Sequence, residues 1–202
     1  MSWSKADNWE VEFNDTFSPE TIVGVQEAVY LSSSTAPAPP SCEREAYKRR
    51  RLGEPAKGVM SAWELIGAAH NEAALFVHER ILPCVSWRSD IAPEFEHCTN
   101  TTGCVLGDSG VVSCYFSHEN RPDVEFFDRL DECARMCTYL RSNNVNNNKG
   151  VKHLFLSCDL NLQLSANVEG ITGGEIHALP NKQLESREIA FLQFLRDFDL
   201  CV

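Results

Sequence analysis

The chain lacks any long hydrophobic run. No stretch of its 202 residues approaches the ~18 apolar residues of a membrane span. Residues 1–30 carry acids and tryptophan, with no apolar block of about 7–15 residues behind a basic start, so no secretory leader is expected. Neither G-x-x-x-x-G-K-[ST] nor G-x-G-x-x-G occurs, which removes two common signs of phosphate cradling by backbone amides. The nucleophile elbow G-x-S-x-G is missing too. Gly107-Asp108-Ser109-Gly110 therefore reads as a turn rather than a catalytic serine. Positive charge is scarce: 18 basic against 29 acidic residues give a net charge of −11. That balance opposes broad attraction to phosphate and demands a local basic surface for any nucleic-acid role. There is no internal repeat.

What remains fits a soluble, intracellular protein. An apolar content of 43 % suits one globular domain with a tail. Nine cysteines in a reducing compartment are expected to be thiols or metal ligands rather than disulfides, and an odd count leaves at least one outside any paired set.

Residues 1–57 read as a disordered tail. Acids alternate there with Trp3, Trp9, Phe13 and Phe17, and "LSSSTAPAPPS" is an extended linker. Lys48, Arg49, Arg50, Arg51 and Leu52 follow. This basic cluster suits nuclear import, and its R-R-L resembles the docking motif that cell-cycle substrates present to cyclins.

Residues 58–202 read as an α+β domain: amphipathic helices with short antiparallel strands and hairpins, segregated rather than alternating. Trp63, Ile66, Ala69, Ala73, Phe76 and Val77 recur at helical steps, predicting a first helix over 59–82 ended by Pro83. Val105-Leu106 and Val111-Val112 flank the glycine turn and predict a hairpin over 103–116. Phe126, Leu130, Cys133, Cys137 and Leu140 form one apolar stripe, predicting a helix over 123–143 capped by Asp123. Residues 151–166 read as a strand pair or one bent strand. Residues 186–200 read as a terminal helix capped by Ser186.

Cys98-x5-Cys104-x9-Cys114 gathers thiols around the hairpin, which could present soft ligands to a tetrahedral zinc ion. These cysteines lack the C-x2-4-C knuckle spacing, so further ligands would come from elsewhere. Cys84, His78, His70 and His118 are the candidates. Cys133 and Cys137, at i and i+4, suit packing better than ligation because the rest of their stripe is apolar.

Cys98, Cys104, Ser109-Gly110, Ser113-Cys114 and Phe116-Ser117, then the 123–141 helix and His153-Leu154, follow one another in an order that resembles the adenovirus-type single-stranded DNA-binding protein family over residues 98–161. The resemblance implies a zinc core with Cys98 and Cys114 as ligands, and His78 or Cys84 in place of the family's upstream C-x-H, which is absent. Leu160 replaces the second cysteine of the family's next motif, so a second zinc is not expected. It further implies sequence-independent binding of single-stranded DNA by a viral protein. Lys149, Lys152 and Arg141 would contact phosphate, and Tyr115 would offer a stacking face beside Phe116 and Trp87.

Two functions are therefore expected. One is a small, viral, nuclear nucleic-acid-binding accessory protein with a structural zinc site. The other is a non-enzymatic interaction protein that engages a host regulatory protein through the tail motifs and its acidic folded domain. No pair of groups is spaced so as to compel catalysis, so the chain is not expected to be an enzyme.

Overall fold

The computed structural model describes residues 18–26, 63–69, 73–117, 120–142, 145, 149–162, 164, 168–172 and 185–201. The Lys48–Leu52 motifs, His70 and His118 lie outside them. Among the described residues there are seven strands and two helices: β1 (Ile22–Gln26), β2 (Trp63–Ala69), β3 (Ala73–His78), β4 (Val85–Arg88), β5 (Thr101–Leu106), β6 (Ser109–Tyr115), α1 (Asp123–Arg141), β7 (His153–Asp159) and α2 (Ser186–Asp197). Three short 3-10 turns surround β4.

The domain is β-rich, which corrects the expected helical one. Two sheets stack face to face. One has the order β1-β3-β2 and is antiparallel throughout; the other has the order β4-β5-β6-β7. Strands β1, β2 and β3 lie over β5, β6 and β7, and α1 covers the opposite side of β5 and β6, with α2 packed on α1. The result is three layers, sheet on sheet on helices, with two apolar interfaces.

The described residues of the segment 59–82 form two strands and a turn, not a helix. Strand β3 is the central strand of its sheet and all six of its residues are buried. A strand covered on both faces reads as a continuous apolar run, and "AALFV" satisfies helical spacing only because every position is apolar. The irregularity between Leu65 and Gly67 bends β2 beside it. Strand β1 arises inside the segment expected to be a disordered tail, where Ile-Val-Gly-Val alternates with nothing polar.

The predicted hairpin stands. Leu106 pairs with Ser109, so the loop is Gly107-Asp108 alone, with Gly107 at φ +60°. Glycine at the first loop position with positive φ fits the tight turns that match strand twist. Both helices fall where the stripes predict them, but their caps differ. Pro122 precedes α1 and Glu185 precedes α2, neither making a side-chain cap bond. Asp123 and Ser186 bond each other instead, Ser186 Oγ donating to Asp123 Oδ2 at 3.0 Å.

The larger core lies between the second sheet and the helices. Phe116 sits in it with its ring centroid 5.3 Å from Phe126 and 5.7 Å from Phe191. The smaller core, between the sheets, is built on Leu75, Val77 and Cys104.

Candidate functional site at the carboxyl ends of two parallel strands

Strand β7 pairs with β6 in parallel, Ser109 opposite His153 and Tyr115 opposite Asp159. This overturns the expectation of antiparallel strands only. Parallel neighbours need a long crossover, and α1 provides it, so β6-α1-β7 is a βαβ unit. In open sheets such units leave a ligand-sized crevice beyond the carboxyl ends of their strands, because the connections there turn away from one another.

Polar groups gather at that rim. The Phe116 N–H donates to the Asp159 carbonyl at 3.0 Å, carrying the ladder one step past Tyr115. Asn161 then turns into the left-handed region at φ +47°, which asparagine tolerates. Its N–H donates to Asp159 Oδ1 at 3.2 Å, and its Nδ2 donates to the Phe116 carbonyl at 2.9 Å. The strand end is thereby fixed by its own side chains. Beside it Ser117 is buried, and its hydroxyl has no hydrogen-bond partner among the described residues. Buried polar atoms are nearly always paired, so an orphan at a strand end marks a place where a ligand or water would complete the site.

A polar cleft of about 280 Å³ adjoins this rim, lined by Asp123, Leu162, Glu185, Ser186 and Arg187. Arg187 is buried; its Nε donates to Asp123 Oδ1 at 2.7 Å, its Nη2 donates to the Arg121 carbonyl, and its guanidinium lies over the Phe126 ring. Donation from Arg187, then from Ser186, holds the Asp123 carboxyl below the usual carboxylate range. The pair ties the amino ends of α1 and α2 together at the cleft wall. On the other side, Arg129 donates to the Tyr115 carbonyl at 3.3 Å and to Glu125 at 2.8 Å, with its guanidinium 5.3 Å from the Tyr115 ring centre.

The expected zinc ligands are divided. Cys98 and Cys114 lie at the end of the β5–β6 hairpin away from its turn, where Cys114 faces Thr101. Cys84 is exposed just before Val85, which pairs with Leu106 at the turn end. His78 is buried in the other sheet, its Nδ1 accepting from the Arg80 N–H. Cys133 and Cys158 are the neighbours that Cys114 acquires instead, with Cys137 beyond Cys133. Hydrogen bonds with Cys114 and Cys137, then burial, push the Cys133 thiol well above its ordinary range. Burial pushes Cys98 and Cys158 to about 12, with Glu132 adding to the rise at Cys98. Among the described residues no group of three or more His, Cys, Asp or Glu side chains is arranged to hold a metal ion. Cys104 lies in the other core, also raised to about 12 by burial.

Thiol reactivity follows from this arrangement. Cys84 and Cys201 are exposed, whereas Cys104, Cys114, Cys133 and Cys137 are completely buried. Titration with a disulfide reagent at pH 8 is expected to modify Cys84 and Cys201 in the folded protein, and the four buried thiols only after denaturation. Fast modification of Cys133 in the native state would contradict the packing.

The expected phosphate contacts divide as well. Arg141, Lys149 and Lys152 come together at the opposite pole, where β7 begins. Tyr115 does not join them; it lies at the far end of β6, buried under Arg129. Asp159 and Asn161 read in the sequence only as polar residues alternating with Leu160 and Leu162, and Ser117 only as part of the resemblance; none was singled out as a site residue. The signal for them is the order strand, 19-residue helix, strand, which places Asp-x-Asn just where a parallel strand ends.

No family model and no curated protein matches the chain. Among solved structures it is similar to the inositol polyphosphate 5-phosphatase domain of SPsynaptojanin, determined with inositol (1,4)-bisphosphate and a calcium ion, at 17 % identity and a TM-score of 0.35. The match covers 80 % of this chain and 49 % of that one, so the chain spans about half the length of the solved domain. That neighbour is an enzyme domain, unlike the non-enzyme expected of this chain. At this TM-score the likeness carries no argument for a particular activity. It does not bear on the resemblance to the single-stranded DNA-binding proteins.

Proposed function

We propose that the chain is a phosphodiester hydrolase acting on nucleic acid, and that it works at the rim where β6 and β7 end. The observation that carries this reading is the βαβ unit, at whose end Asp159 and Asn161 are hydrogen-bonded to Phe116 and to each other, next in sequence to Leu162 of the polar cleft. A carboxylate there accepts a proton from attacking water as the water oxygen bonds to phosphorus. The P–O bond to the leaving sugar oxygen breaks, and that oxygen takes up a proton. The Asn161 carboxamide supplies a neutral polar group for the phosphoryl oxygens. Nucleic acid is the substrate class because the sequence-level expectation of nucleic-acid binding has a local basic surface to rest on, at Arg141, Lys149 and Lys152.

The test is a cleavage assay on end-labelled single-stranded and duplex DNA, with and without magnesium, using inositol (1,4)-bisphosphate as a second phosphate ester. Asp159→Ala is expected to lower the cleavage rate by about 100-fold or more, the range for losing a positioned acid–base group, with Asn161→Ala intermediate. Undiminished cleavage by Asp159→Ala would overturn the site. Hydrolysis of the inositol phosphate alone would overturn the nucleic-acid substrate.

A further inference from the structure

Strand β7 closes one side of its sheet, and its two faces are unlike. Leu154, Leu156 and Cys158 point into the core under the helices. His153, Phe155 and Ser157 alternate with them and face the layer of β1. Among the described residues that layer meets this face at Ser157, whose hydroxyl and carbonyl both accept from Gln26 Nε2 at 3.0 and 3.2 Å. Gly24 lies directly against the Ser157 side chain, so the layers touch there. Beyond that contact the sheet face is open. Phe155 is 59 % exposed, though its partner Val111 is in register beside it, and His153 is exposed as well.

The same end of β7 collects cations from separate elements. Gly150, at φ +66°, lets the turn before β7 lie against the Arg141 and Ser142 carbonyls, an approach that leaves no room for a Cβ. Arg141 at the end of α1 donates to the Lys152 carbonyl at 2.9 Å and to the Phe198 carbonyl at 3.3 Å. Lys152 and Lys149 are exposed on this turn, and no ion pair to Lys149 exists among the described residues. Lys152 meets Asp108 at 3.2 Å, with 77 % and 46 % of the two side chains exposed. Such a pair is screened by solvent and open to exchange for a phosphate.

We infer that Phe155, with Lys149, Lys152 and Arg141, forms a second contact surface for single-stranded nucleic acid, on which a base stacks against the Phe155 ring while the cations hold the backbone. An exposed aromatic face beside a local cluster of cations is the pairing that sequence-tolerant single-strand binding needs. Local charge complementarity selects this occupant: Arg141, Lys149 and Lys152 lie together at this pole, against a net charge of −9 from Gly58 onward. Along β7, Phe155 lies about 13 Å and Lys152 about 23 Å from Asp159. This rests on the proposed nucleic-acid substrate and gives it a holding site apart from the cutting site.

The experiment is fluorescence anisotropy of a labelled 20-nucleotide oligo-dT with the full chain, over a salt series, with a duplex of equal length alongside. Phe155→Ala and Phe155→Leu are both expected to weaken oligo-dT binding about tenfold, since leucine keeps the bulk without the aromatic face. Lys149→Ala with Lys152→Ala is expected to reduce the salt slope by about 1.4, for two lost single-strand phosphate contacts. Wild-type affinity in both Phe155 variants overturns the stacking surface, and so does an unchanged salt slope in the lysine variant. Binding that depends on Phe155 in a chain that cuts nothing would sink the hydrolase reading and leave this one standing. Cleavage that is unaffected by the Phe155 and lysine changes, with binding also unaffected, would do the reverse.

Discussion

Glu132→Ala is expected to lower the unfolding free energy by about 4 kcal/mol, read as a fall in the urea midpoint at unchanged slope. Glu132 sits on α1 facing the sheet and is 8 % exposed. Its Oε1 accepts three successive backbone N–H groups, from Thr99 at 3.0 Å, Asn100 at 3.1 Å and Thr101 at 3.0 Å. The chain there turns from the 3-10 segments into β5, so those amides have no ladder partner of their own. One carboxylate satisfies all three and pins the start of β5 to α1. Alanine leaves the amides buried, and each unsatisfied group costs on the order of 1–3 kcal/mol, partly relieved by water entering the gap. Glu132→Gln keeps an acceptor oxygen and loses the charge assistance, so its cost is expected near 1–2 kcal/mol. A Glu132→Ala midpoint equal to the parent's would mean that water already serves those amides.

That carboxylate also shows why parts of this fold were legible and others were not. The α1 stripe of Phe126, Cys133, Cys137 and Leu140 is apolar and is buried as read. Glu132 stands beside it in the sequence like any surface acid, because the partners that bury it lie some thirty residues away. The hairpin was legible because its turn chemistry is local. Strand β3 was not, because a run buried on both faces carries no period. Strand β1 was masked by its acidic surroundings and becomes a strand only by pairing with β3. The parallel pairing of β7 depends on how α1 returns the chain, which alternation within β7 does not encode. The candidate site inherits that difficulty: Asp159 and Asn161 looked like the polar half of an alternating strand until β6 was placed beside them. The thiols show the same limit. Spacing singled out Cys98 and Cys114, but the neighbours of Cys114 are Cys133 of α1, which periodicity had assigned to packing, and Cys158 of β7.

Phe116→Ala is expected to cost about 3–5 kcal/mol, the range for emptying a fully buried aromatic site, and to disturb the rim at the same time. The ring is completely buried between Phe126 of α1 and Phe191 of α2, so it joins both helices to the sheet. Its backbone does the other half of the work. The N–H donates to Asp159 and the carbonyl accepts from Asn161, so the residue that anchors the helices also spaces the two candidate site residues. Phe116→Leu fills most of the volume and is expected to cost about 1–1.5 kcal/mol. The two variants separate packing from positioning. If the rim depends on the core beneath it, Phe116→Ala loses cleavage activity even at temperatures where it remains folded, whereas Phe116→Leu keeps most of it. A Phe116→Ala protein that is destabilised by several kcal/mol yet cuts at the parental rate when folded would show that the Asp159–Asn161 turn holds its shape without the ring. The hydrogen bonds within that turn and to the Phe116 carbonyl would then be sufficient, and the site would owe its geometry to the strand pair alone.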